Sequence, residues 1–142
     1  MRRFVLDTDV IVAAMRSPSG ASSALLGAVL DHQIAMIASV PLFFEYESKC
    51  TSPIHWTAAG LTQEQAHIFV NGLAALIEPV KTHYLWRPML RDPNDEMVLE
   101  AAVNGRAEAI VTFNLRDYGA VPGTFNIEVI TPAIAIRRVR NE

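Results

Sequence analysis

The chain of 142 residues predicts an α/β fold in three layers, α/β/α, with a central parallel sheet of four or five strands. Three observations carry that expectation. Short apolar runs at residues 4–6, 34–38, 109–112 and 127–130 read as buried strands. Longer segments between them repeat apolar residues at helical spacing, and that alternation is the pattern of a parallel sheet covered on both faces. With 51% hydrophobic and 19% charged residues, and no repeat, linker or low-complexity tract, residues 1–142 are expected to form one domain with a sizeable core.

Each element has a local reason. Phe4-Val5-Leu6 runs straight into Asp7, so the first strand is expected to end on an acid at the lip of the sheet, where open α/β sheets bind ligands. Asp9 is expected to cap a short helix over residues 10–15, which Ser17-Pro18-Ser19-Gly20 then breaks. Residues 21–30 form a second helix with Leu25, Leu26, Val29 and Leu30 on one face, and 34–38 the second strand. Pro41 opens a helix carrying Phe44, Glu45, Tyr46 and Glu47. Pro53, Trp56 and Gly60 make 51–60 a loop or broken helix, with 54–56 exposed as a partner surface. Thr62 and Gln65 form a capping box for a helix bearing Ala66, Phe69, Val70 and Leu73. Pro79 pushes the strand at 77–80 to an edge. Asp92-Pro93-Asn94-Asp95 starts a helix that Asn104-Gly105 ends. A turn around 114–117 follows the strand at 109–112, and Thr131-Pro132 caps a closing helix rich in arginine.

Composition narrows the function. A net charge of −3 does not advertise bulk nucleic-acid binding, so any such contact needs local patches. Arg87 and Arg91 are candidate phosphate contacts, with Arg137, Arg138 and Arg140 as a basic edge. The single cysteine, Cys50, permits no internal disulfide and reads as a small buried hydrophobe, which favours a cytoplasmic setting. The apolar run after Arg2-Arg3 is broken by Asp7 and Asp9, too soon for a secretion signal, and no run suits a membrane span.

Four acids fall at element ends: Asp7 after the first strand, Glu45 early in a helix, Asp95 in a helix's first turn, and Asp117 after the strand at 109–112. Helical phase alone does not choose between Glu45 and Glu47. Two carboxylates 4 Å apart repel by about 4 kcal/mol at an effective dielectric near 20. Such a cluster calls for a divalent cation, raised pKa values, or both. Oxygen donors suit Mg²⁺ or Mn²⁺, and the matching chemistry is in-line phosphodiester hydrolysis. Each acid also has a plain structural explanation: a satisfied buried acid for Asp7, caps for Asp9 and Asp92, a dipole-favoured first-turn position for Asp95, and a turn for Asp117.

Val5-Leu6-Asp7-Thr8-Asp9, Phe44-Glu45-Tyr46, Asp92-Pro93-Asn94-Asp95-Glu96, the run from Val111 through Asn114 and Asp117 to Tyr118, and Val129-Ile130-Thr131-Pro132-Ala133 together resemble the PIN-domain nucleases. Among these, the chain looks most like the VapC-like toxins of bacterial toxin–antitoxin pairs. The resemblance spans nearly the whole chain. It implies that Asp7, Glu45, Asp95 and Asp117 are catalytic ligands for Mg²⁺ or Mn²⁺. It also implies that Thr8 and Asn114, with Asp92, support the pocket. The activity implied is endoribonucleolytic, the toxin a homodimer silenced by a cognate antitoxin. Phe113 departs from the pattern, standing where many members carry a polar or basic residue, and 51–60 does not align clearly.

Other readings fare worse. Asp7-Thr8-Asp9-Val10 also resembles the nucleophile motif of haloacid-dehalogenase-type phosphatases, and residues 109–112 their second motif, but those enzymes need a lysine and a further acid pair after that second motif. The only lysines, Lys49 and Lys81, precede it. No glycine-rich nucleotide loop, hydrolase elbow or zinc spacing is present, and the four histidines are expected on the surface. A catalytically silent PIN-like module that binds RNA or a protein is the remaining non-enzymatic alternative.

Overall fold

The computed structural model describes residues 1–83 and 89–141. Its elements in order are β1 (Arg2–Leu6), α1 (Thr8–Arg16), α2 (Ala21–Leu30), β2 (Ile34–Ala38), α3 (Val40–Cys50), α4 (Pro53–Ala58), α5 (Gln63–Leu76), β3 (Ile77–Pro79), α6 (Pro93–Asn104), β4 (Ala109–Val111), α7 (Leu115–Tyr118), β5 (Glu128–Ile130) and α8 (Pro132–Arg140). A 3₁₀ turn at Pro122–Phe125 precedes β5. The five strands are all parallel, in the order β3-β2-β1-β4-β5. With helices on both faces this is the expected three-layer α/β/α architecture.

The strand order places the site. From β1 the chain winds outward through β2 to β3, then returns to β4 on the other side of β1. The winding therefore reverses between β1 and β4, and such a switch point opens a crevice at the carboxyl ends of the strands. Leu6 pairs with Val111 at those ends, and the Asp7 N–H still donates to the Val111 carbonyl at 2.9 Å. Asp7 and Thr112 thus leave the sheet side by side.

Strands buried on both faces must be apolar throughout, and β4 (Ala-Ile-Val) is wholly buried. Phe4, Leu6, Ile11, Leu25, Met36, Ile37, Leu42, Leu73, Leu99 and Ile110 fill the core with almost no exposure. Each such side chain contributes about 1.5–3 kcal/mol on burial. The α6 helix packs on β1, β2 and β4, while α2 packs on β2, α1 and α8. Tyr46 on α3 donates its buried hydroxyl to the Leu6 carbonyl, clamping α3 to the last residue of β1.

Several local expectations hold. The capping box at Thr62 and Gln65 forms in both directions, at 3.1 and 2.9 Å. Thr131 accepts from the Ile134 N–H at 3.3 Å, β3 lies on the sheet edge, and Cys50 is buried. Burial raises the Cys50 thiol to about 12, which makes it an inert packing group.

Two expectations are corrected. The cap of α1 is Asp7, accepting from the Thr8 N–H at 2.7 Å, not Asp9, because the helix starts one residue after the strand ends. The segment 51–60 contains a short helix, α4, and Trp56 turns inward against the core with its indole N–H on the Thr51 carbonyl at 3.2 Å. Only Ile54 of 54–56 is well exposed. Gly105 ends α6 as expected, as its C-cap with a φ of −87°, and Arg106 takes the positive φ of 53°. The reason for a glycine at 105 is space: a Cβ there would stand 2.6 Å from Ile37 Cγ2 and 2.8 Å from the Ala101 carbonyl oxygen.

Candidate active site

At the carboxyl ends of β1 and β4 a cavity of about 350 Å³ is lined by Asp7, Thr8, Asp9, Glu45, Lys49, His55, Asp92, Asn94, Asp95, Asn114 and Asp117. All four acids expected to act together line this space, brought from the β1 end, α3, α6 and α7. Thr8, Asn114 and Asp92 line it too. Glu45 rather than Glu47 faces it, half-buried where Glu47 is exposed. A second cavity, of about 450 Å³, shares Asp92, Asp95 and Asp117 and adds Arg91, Arg116 and Tyr118. Arg91 is therefore near the acids, while Arg87 lies outside the described residues. Arg138 is engaged elsewhere, in a double contact with Glu128 at 2.8 and 2.9 Å.

Asp7 is the most constrained acid. It is buried and accepts three hydrogen bonds: from the Thr8 N–H at 2.7 Å on Oδ1, and from Thr112 Oγ1 at 2.8 Å and Tyr118 Oη at 2.9 Å on Oδ2. Oδ2 thereby uses both lone pairs, while Oδ1 keeps one for a further partner. Burial and the charge of Asp7 hold the Tyr118 hydroxyl well above its ordinary range, so it stays a donor.

Asp9 braces the loop after β4. Its Oδ2 accepts from the Phe113 N–H at 3.1 Å, Asn114 Nδ2 at 3.1 Å and Thr112 Oγ1 at 3.4 Å. Thr112 in turn accepts from the Asn114 N–H at 3.0 Å. Asn114 thus orients the carboxylate of Asp9. Burial first, then the charge of Asp7, raises Asp9 from 3.8 to about 6, against the pull of its hydrogen bonds. Asp95 also rises to about 6, from burial and then from Asp7, Asp92 and Asp117. Asp92 caps α6 as expected, accepting from the Asn94 N–H at 2.8 Å.

The donors suit a hard divalent cation, being carboxylate, amide and hydroxyl oxygens. A further observation agrees: Thr8 Oγ1 and Asp9 Oδ1 are buried without a hydrogen-bond partner among the described residues. Among the described residues, however, no three Asp, Glu, His or Cys side chains stand together at ligand spacing. The acids line one cavity without forming a closed cage.

The sequence did not single out Thr112, Tyr118 or His55. Thr112 and Tyr118 stand within the motif around Asn114, but their bonds to Asp7 span 105 and 111 residues. His55 lines the cavity instead of standing on the surface, whereas His32, His67 and His83 are exposed as expected.

One solved structure with the same fold is VapBC2 from Rickettsia felis bound to a DNA fragment from their promoter; the match has a TM-score of 0.64 and 14% identity, covering 91% of this chain and 98% of that one. Comparison with the curated proteins gives no match. The sequence matches the PIN domain family over residues 3–116, most of its length. With the switch-point crevice and its ring of acids, that match makes the chain a member of the PIN domain family.

Proposed function

We propose that this protein is a Mg²⁺- or Mn²⁺-dependent endoribonuclease and the toxin of a toxin–antitoxin pair. One observation carries the reading: Asp7, Glu45, Asp95 and Asp117, from four separate elements, line a single cavity at the switch point of the sheet. Family membership supports a nuclease, and the fold shared with VapBC2 supports an antitoxin as partner. The toxin reading carries with it a homodimer and a cytoplasmic setting. Among the described residues no helix is long and apolar enough to cross a membrane.

Asp7, Glu45, Asp95 and Asp117 would hold the cation, with Thr8, Asn114 and Asp92 supporting them. A bound Mg²⁺ or Mn²⁺ would supply Lewis acidity at the phosphoryl oxygens and make a water it holds more acidic than bulk water. The protein's own part is positioning. Thr112, Tyr118 and the Thr8 N–H fix both oxygens of Asp7, and Asp9 holds the loop that carries Asn114. Arg91, and Arg87 by sequence position, contact phosphate. Hydrolysis then adds the elements of water across one P–O bond, leaving a phosphate on one fragment and a hydroxyl on the other.

The open spacing of the acids favours a second reading, a catalytically silent module that binds RNA or a protein. Cleavage of a mixed RNA pool with Mn²⁺, measured beside Asp7→Asn and Asp95→Asn, separates the two. The nuclease reading expects the wild type to cut and both variants to fail. Equal cutting by all three means contamination and ends it.

A further inference from the structure

Apart from its acids, the 350 Å³ cavity carries two nitrogen bases, Lys49 and His55. Lys49 lies one helical turn after Glu45 on α3, and its Nζ stands 4.0 Å from Glu45 Oε1. A contact that long, with the lysine side chain 49% exposed, leaves the ammonium free to reach another anion. His55 belongs to α4, and its Nδ1 is buried with no hydrogen-bond partner among the described residues. A buried ring nitrogen without a partner costs free energy unless a ligand supplies one. The helix that holds it is fixed, because Trp56 packs against the core and ties back to Thr51.

The neighbouring cavity repeats the pattern with different residues. It shares Asp92, Asp95 and Asp117 and carries the cations Arg91 and Arg116. Acids thus lie at the junction of two cavities, each bearing its own basic pair. A phosphodiester strand needs this layout, since phosphates are gripped by basic groups and repelled by bare carboxylates.

We propose that a single strand of RNA crosses the shared acids, and that Lys49 and His55 hold a phosphate on one side as Arg91 and Arg116 do on the other. Lys49 supplies a mobile point charge, and the His55 ring, which lines the cavity on a fixed helix, a second basic group. The assignment rests on the nuclease reading but is tested apart from it.

Binding of a fluorescein-labelled single-stranded RNA is measured by anisotropy with Mg²⁺ in the Asp95→Asn protein. Lys49→Ala and His55→Ala are each expected to weaken binding by about three- to tenfold, within the range of one lost charge-assisted contact. Lys49→Ala should also lower the slope of log K against log salt by about 0.7, one phosphate's share for a single strand. In the cleaving protein the same changes should raise KM more than they lower kcat. Exposed Lys81 and His67, outside both cavities, serve as controls. Unchanged binding in folded Lys49→Ala and His55→Ala proteins, or an equal loss with Lys81→Ala, overturns the assignment even if the wild type cuts RNA. A wild type that cuts nothing, with binding still lost in both variants, leaves the phosphate grip standing and removes the nuclease.

Discussion

The two ends of the sheet handle charge in opposite ways. At the amino end Arg2 meets Glu108 at 2.6 Å, and Arg3 meets Glu78 at 2.7 Å and the Gly105 carbonyl at 2.8 Å. Each charge there has a partner of the other sign. At the carboxyl end Asp7, Asp9, Glu45, Asp92, Asp95 and Asp117 gather around one space where, among the described residues, Lys49 and His55 are the only bases, and two of the acids rise to about 6. The first end is arranged for the fold. The second holds unfavourable charge that the rest of the core sustains, as sites built for a ligand do.

The largest test of this contrast is Asp95→Asn. It should cut RNA cleavage by more than about 100-fold, beyond the 10–100-fold that outer groups cost. In the same protein without metal it should raise the melting temperature by removing one of the clustered charges. A variant that loses both activity and stability would mean Asp95 serves the fold. Tyr118→Phe removes one of three donors to Asp7, and its expected cost is about 10–100-fold in activity or Mn²⁺ affinity. Titration of Mn²⁺ against melting temperature gives the second quantity directly.

The pH dependence has a definite sign. Asp9 and Asp95 bind protons more tightly in the folded chain, at about 6, than at their ordinary 3.8. Their contribution to stability is complete below 3.8 and is lost as the pH rises through 6. Metal-free protein should therefore melt higher at pH 5 than at pH 7.5, and Asp9→Asn with Asp95→Asn should flatten that difference. Millimolar Mn²⁺ should raise the melting temperature more at pH 7.5 than at pH 5, because binding only the native state stabilises it. The smallest effect belongs to the amino end. A double-mutant cycle on Arg2 and Glu108, both partly exposed, should yield about 0.2–1 kcal/mol.

What the chain revealed on its own was whatever depends on near neighbours. The bounds of α2 and β2, the Thr62 capping box, the Asp92 cap and the edge position of β3 all follow from side chains within a few residues of one another. The acids at element ends were legible for the same reason, since a strand that stops at an acid says where its carboxyl end lies.

The failures share a cause as well. Asp9 looked like a cap because local spacing allows it, but Asp7 takes the cap and Asp9 reaches 104 residues on to the Phe113 N–H. Gly105 ends α6 as its neighbours suggest, but what demands a glycine there is the side chain of Ile37 on β2. His55 lay in a segment without periodicity, and only the packing of α4 beside α1 and α3 brings it to the acids. Sequence fixes short-range geometry through dihedral preference and capping. Which distant side chains share one cavity is decided by strand order and helix packing, because those alone bring residues a hundred positions apart within bonding distance.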